Sequence, residues 1–259
     1  MKNILYASDL DRTIIFSRRF LDEHKTNSDY TLVESIGDRE ISYASVDVLN
    51  KLYQLSFKDN ITFVPVTSRS KDEYNRIDLG FTPEYAIVAN GGIIIHNGVE
   101  LDDYNRYIYN NMNTMEMLSI MQDVAEMESV TDNVKCIDKR YIFTKIVDKA
   151  LFDVEIQEIG TKYSNWDITV QENKVYIIPK FFSKQIALRW LWHKLNQPYI
   201  IASGDGPLDI PMLSLANMAI VPDHAIIIQE KYVESCTKST GGIDSPLFTI
   251  DRVLEEARS

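Results

Sequence analysis

The chain is 259 residues long with 45% hydrophobic and 25% charged residues, the composition of a soluble globular protein large enough for one big domain or two modest ones. Ten glycines, eight prolines and no low-complexity stretch exclude disordered, collagenous and repeat architectures. Thirty-eight acidic residues against 27 Lys and Arg leave a net charge of −11, a field that repels a nucleic-acid backbone and argues against nucleic acid as a partner.

The opening apolar run, Ile4 to Ser8, is too short for a signal-peptide core or a membrane span. Cys136 and Cys236 have neither disulfide-framework nor zinc-site spacing. A cytoplasmic protein without a membrane partner is expected.

Further short apolar runs follow at Ile61 to Val66, Tyr85 to Ala89, Tyr199 to Ala202 and Met218 to Val221. Uninterrupted hydrophobicity suits strands buried on both faces. Helical patterns lie between them: Ser45 is a candidate N-cap for Val48, Leu49, Leu52 and Tyr53, and Ser183 precedes Ile186, Ala187, Trp190, Leu191 and Leu195. Strands alternating with helices predict an α/β fold, a doubly wound parallel sheet.

Residues 93–179 break that rhythm. A Met-rich helical pattern (Met115, Leu118, Met121, Val124) assigns those side chains to a core face, and strand-like runs follow at Tyr141 to Val147, Trp166 to Val170 and Val175 to Ile178. The expected organisation is a core of residues 1–92 and 180–259 interrupted by an α+β cap of residues 93–179.

Ligands of open parallel sheets bind at the carboxyl ends of the strands. The residues there are Asp9-Leu10-Asp11-Arg12-Thr13, Thr67-Ser68-Arg69, Asn90-Gly91-Gly92 and Gly204-Asp205-Gly206-Pro207-Leu208-Asp209, with Lys184 opening the helix after the insertion. Asp9 and Asp11 alone fit helix-capping or turn duties as well as chemistry. With Asp205 and Asp209 at the same sheet edge they form a hard oxygen set suited to Mg²⁺. Thr67 offers a hydroxyl, and Lys184 a point charge, to a phosphate. The four histidines lie outside this set, and no GxxxxGK[ST] or GxGxxG motif is present.

DLDRT, TSR, the lysine behind the insertion and GDGPLDIPML, in that order, resemble the four motifs of the haloacid dehalogenase superfamily of phosphotransferases. The NGG and the insertion after it look like the branch with an α/β cap between the second and third motifs, which includes many sugar-phosphate phosphatases, sucrose phosphatases among them. The resemblance implies a Rossmann-like core, Asp9 as nucleophile, Asp11 as general acid and base, and Thr67 and Lys184 on the phosphoryl oxygens. It implies Mg²⁺ on Asp9, Asp205 and the Asp11 main-chain carbonyl, steadied by Asp209. Ser68, Arg69, Asn90 and Gly91 would lie nearer the substrate, a small phosphorylated metabolite.

Three positions depart from the family pattern. Arg12 replaces a common glycine, Gly206-Pro207 a Ser-containing pair and Leu208 an asparagine. The Arg12 and Leu208 departures leave a catalytically silent binding or regulatory protein as an alternative to a phosphatase, and a phosphosugar mutase built from the same parts is another. Lys139, Arg140 and Lys145 are candidate anion contacts in the cap, no substrate signature is readable there, and oligomeric state is open.

Overall fold

The computed structural model describes residues 2–24, 28–131, 133–229, 236–239 and 242–259. The chain forms two compact units, Met1–Leu101 with Lys184–Ser259, and Asp102–Ser183.

The first unit is built on a five-stranded sheet ordered Thr237–Ser239, Met218–Pro222, Tyr199–Ser203, Ile4–Ser8 and Ile61–Pro65, every pair parallel. Ser8 stands level with Ser203 on one side and Pro65 on the other, so the loops after these three strands open at one edge. The strands are almost wholly buried because helices flank the sheet. Val46–Leu55 and Ser245–Arg258 pack together, and Val48, Leu52, Ile250 and Val253 join Ile4, Tyr6, Phe63 and Ile201 in one apolar core. Lys184–Lys194 packs on Ile210–Leu215. Its buried stripe is Ala187, Leu188 and Leu191; Trp190, expected on it, is half-buried with Lys194 over its ring.

Two sequence readings change here. Tyr85–Val88, expected as a further parallel strand, touches the sheet through a parallel bridge between Ile87 and Val66 and pairs antiparallel with Ile93–His96. Those ladder bonds keep residues 93–101 in the first unit, so the boundaries fall at 101/102 and 183/184 rather than 92/93 and 179/180. A hairpin of Tyr30–Ile36 and Arg39–Ser45, turning at Gly37 (φ +57°), was not anticipated. Its register shifts around Glu34, so Val33 and Glu34 are buried in succession and the period-two signal is lost.

The second unit carries an antiparallel sheet ordered Trp166–Gln171, Lys174–Pro179, Tyr141–Lys145 and Lys135–Ile137. Helices Thr114–Ala125 and Lys149–Lys162 supply Met117, Ile120, Val124, Phe152 and Ile159 to a core with Ile142, Val175 and Ile177. The Met-rich helix exists, but Met115 and Leu118 face solvent at 74% and 47% exposure while Met117 and Ile120 are buried. Both stripes end on Val124, and the sequence pattern alone does not separate them. Among the described residues, no helix is long and apolar enough to cross a membrane.

Candidate active site

Asp9 follows the first strand, its N–H donating to the Ser203 carbonyl across the sheet (2.9 Å). Hydroxyls of Ser8 and Ser203 fill the space below, Ser203 Oγ donating to Ser8 Oγ (2.8 Å) and Ser8 Oγ to the Asp9 carbonyl (2.8 Å). The Asp9 carboxylate is buried and accepts from Lys184 Nζ (2.6 Å). A cation at a helix start works against the helix dipole, and two carboxylates offset this: Nζ also lies 2.6 Å from Asp209 Oδ1. Asp209 Oδ2 accepts the N–H groups of Asp205 (3.1 Å) and Gly206 (2.9 Å). Gly204 permits this turn, since a Cβ on it would stand 2.5 Å from Asp209 Cβ and Cγ.

Asp9, Asp205 and Asp209 each bring a carboxylate oxygen to one place, all within 4.8 Å of one another and all buried. Burial, the negative charge of Asp209 and, more weakly, that of Asp11 push the Asp9 carboxyl up to about 7, against the lowering effect of Lys184. Asp205 is raised well above the carboxylate range, first by burial and then by Asp9 and Asp209. Its Oδ2 is buried without a hydrogen-bond partner. Three carboxylates against one ammonium, with an orphaned oxygen among them, could hold a hard divalent cation, and the oxygen donors fit Mg²⁺.

Asp11 takes another direction. Its exposed carboxylate is gripped by Arg69, Nε to Oδ2 at 2.7 Å and Nη2 to Oδ1 at 2.8 Å, so the side chain expected among the metal-holding groups is bound to a guanidinium. Arg69 also donates from Nη1 to Glu34 Oε2 (2.6 Å) and from Nη2 to Ser42 Oγ (3.1 Å). Glu34 and Ser42 come from the unanticipated hairpin, and a broken alternation gave no signal for them.

Val66 donates its N–H to the Ser8 carbonyl (2.7 Å), which places Thr67 beside the start of the Asp9 loop. Thr67 is buried, and its Oγ1 accepts the Arg69 N–H (3.2 Å), leaving the hydroxyl proton available to an anion. Ser68 is half-buried. Asn90 donates its N–H to the Thr67 carbonyl (3.0 Å) and occupies the left-handed region (φ +55°), as do Ala89 (φ +50°) and Gly91 (φ +93°). The Asn90 Oδ1 is buried without a partner. Such a run of positive φ is strained, and it holds this turn against the Thr67 loop.

The Arg12 departure has a backbone explanation: φ is +58° there, the conformation a glycine adopts without cost. The Arg12 carbonyl accepts from His224 Nε2 (2.7 Å), and its guanidinium lies 5.4 Å over the Phe20 ring. His224 was missed because nothing local in the sequence marks its reach to Arg12.

The family model of sucrose-6F-phosphate phosphohydrolase matches residues 2–235. Among solved structures, the chain is similar to the sucrose-phosphatase of Synechocystis, solved with sucrose and phosphate, at 14% identity over 97% of this chain and 99% of that one, TM-score 0.67. It is similar also to trehalose-6-phosphate phosphatase of Aspergillus fumigatus (13% identity, 100% and 94% coverage, TM-score 0.61) and to a haloacid dehalogenase-like hydrolase of Bacillus subtilis (13%, 98% and 92%, 0.59). No curated protein matches the chain in sequence. Structural likeness at such identities speaks for the fold, and the family match over residues 2–235 for the lineage: the chain belongs to the sucrose-6F-phosphate phosphohydrolase family, phosphoric monoester hydrolases of the haloacid dehalogenase superfamily.

Proposed function

We propose that the protein is a Mg²⁺-dependent phosphatase that removes the phosphoryl group of a phosphosugar through an aspartyl-phosphate on Asp9. The carrying observation is the meeting of Asp9, Asp205 and Asp209 with Lys184 in one buried volume at the carboxyl edge of the parallel sheet.

Asp9, Asp205 and Asp209 would hold Mg²⁺, Asp209 also anchoring Lys184 and the Asp205–Gly206 backbone. The bound cation supplies charge that lets an anionic phosphate approach a carboxylate nucleophile. An Asp9 carboxylate oxygen attacks phosphorus, the bond from phosphorus to the sugar oxygen breaks, and the electron pair leaves with that oxygen. Asp11, as a carboxylic acid, gives it a proton, releasing the sugar. The Asp11 carboxylate then takes a proton from water as the water oxygen attacks phosphorus. Breaking the phosphorus–Asp9 bond frees phosphate and restores Asp9. Lys184 and the Thr67 hydroxyl hold phosphoryl oxygens, and Ser68, Arg69, Asn90 and Gly91 border the substrate.

Phosphate release from a panel of phosphosugars including sucrose-6F-phosphate, with Mg²⁺ and with EDTA, tests this. Metal-dependent release from at least one phosphosugar is expected. Equal release under chelation overturns the metal assignment, and no release from any overturns the phosphatase.

A further inference from the structure

Arg69 is held from behind as firmly as it holds Asp11. The Glu34 carboxylate is fully buried and satisfied on both oxygens, Oε2 accepting from Arg69 Nη1 (2.6 Å) and Ser42 Oγ (2.9 Å), Oε1 from Arg76 Nη2 (3.2 Å). Ser42 Oγ also accepts from Arg69 Nη2, closing a triangle of Glu34, Ser42 and Arg69. The Arg69 backbone is tied down too, its N–H on Thr67 Oγ1 and its carbonyl on the Ala89 N–H (2.7 Å). The Arg69 side chain is itself largely buried, at 14% exposure, while the Asp11 side chain that it meets is 51% exposed.

A buried carboxylate between two arginines is a poor device for stability, because apolar residues of similar volume commonly serve as well. It is a good device for fixing a guanidinium, whose planar fork transmits the orientation of one carboxylate to another. The register shift at Glu34 turns this side chain inward out of alternation, which ties the irregularity to the contact.

We propose that Glu34 is a positioning residue acting through Arg69: with Ser42, it sets the guanidinium that aligns the Asp11 carboxyl group with the leaving oxygen. The hairpin Tyr30–Ser45 is then part of the catalytic apparatus. This rests on the reading of Asp11 as the group that protonates the leaving oxygen.

The test compares kcat/KM for a phosphosugar turned over by the parent, whose alkoxide needs a proton, with that for p-nitrophenyl phosphate, whose leaving group needs little help. This parameter covers the first phosphoryl transfer and not the later attack by water. In Glu34→Gln, kcat/KM for the phosphosugar should fall about tenfold or more and that for the aryl ester less than about threefold, a fraction of what general acid catalysis commonly contributes. Ser42→Ala, which leaves every charge in place, should shift the ratio the same way by about threefold, and it decides the matter if Glu34→Gln does not fold. Equal losses on both esters, or none, overturn the proposal while the phosphatase stands. A parent inactive on both esters overturns the phosphatase reading and the proposal with it.

Discussion

Arg69 and Asp11 meet fork to fork, with contacts of 2.7 and 2.8 Å, although they stand 58 positions apart in the chain. The pair spans the loops after two neighbouring parallel strands, and Glu34 backs it with no exposed surface of its own. Replacing Arg69 with Met takes one of its two arginines from that buried carboxylate, leaving it Arg76 at 3.2 Å and the Ser42 hydroxyl. The expected cost is about 3–5 kcal/mol, the range for breaking a buried ion pair by removing one partner. Urea unfolding of Arg69→Met and of Arg69→Met with Glu34→Leu measures it; the double variant should regain part of the stability and none of the activity. A loss below about 1 kcal/mol in the single variant would show that Glu34 is satisfied without Arg69.

Asp9→Asn keeps the size of the nucleophile and removes its ability to attack phosphorus. Turnover should drop by about 10³-fold or more while the fold persists. Without added metal the variant should melt no lower than the parent, because it removes one of three mutually repelling carboxylates. Phosphate release within tenfold of the parent, about 1.4 kcal/mol in barrier, refutes the nucleophile assignment.

How much of this was legible in the sequence depended on whether a residue's role is set by its own strand end. Asp9, Thr67 and Asp205 follow buried apolar runs, and a parallel sheet brings such positions to one edge, so their convergence could be argued from order alone. Glu34 could not be found that way: its burial comes from a register shift in a hairpin whose outer residues, Leu32 and Ile36, are exposed. The Asp11 partner was unreadable for a related reason. Both Asp11 and Arg69 were candidates, but only side-chain geometry shows that they neutralise each other. Ile93–His96 reads like a new strand after a turn, and its antiparallel return onto Tyr85–Val88 is a pairing choice that periodicity does not encode.

Gly204→Ala tests whether the loop geometry matters. A methyl group 2.5 Å from two Asp209 carbons forces Asp209 away from Lys184 and from the Asp205 and Gly206 N–H groups. Overpacking of this kind costs about 1–3 kcal/mol, and the metal site should suffer more than the fold. Isothermal titration with Mg²⁺ should show affinity lowered about tenfold or more. Unchanged affinity would mean that Asp209 is dispensable to the cation.

The raised Asp9 carboxyl has a thermodynamic sign. A group whose folded pKa, about 7, exceeds its unfolded value of 3.8 holds its proton more tightly when folded. Its contribution to stability is therefore present below the unfolded value and lost as pH rises through about 7. Without metal, the parent should lose stability across that window, and Asp9→Asn should lose less. Because Mg²⁺ binds the deprotonated carboxylate, the rise in melting temperature on adding it should be larger at pH 8 than at pH 5.5. Thermal melts at both pH values, with and without Mg²⁺, decide it; a larger shift at the lower pH would contradict the assignment of Asp9 as a ligand.

The two units each carry their own apolar core, one running from Ile4 to Ala257 outside the insertion and the other wholly within Met117 to Ile177. A segment that buries its own core between termini joined to one neighbour can fold separately, so residues 102–183 should be stable when expressed alone. The complementary chain, Leu101 bridged to Lys184 by a short Gly-Ser linker, keeps every strand of the parallel sheet and the helix that presents Lys184. It should fold, show the circular dichroism of an α/β protein and still gain melting temperature from Mg²⁺, because Asp9, Asp205 and Asp209 all lie in it. The boundary itself is part of the test. A cut at 92/93 removes Ile93–His96 and strips Tyr85–Val88 of its ladder, exposing Ile87 and Val88, so that shorter chain should aggregate where the 101/184 chain does not. Equal solubility of the two truncations would show that the Ile93–His96 pairing contributes little to the core, and failure of the longer one to fold would show that the first unit depends on the inserted residues for its stability.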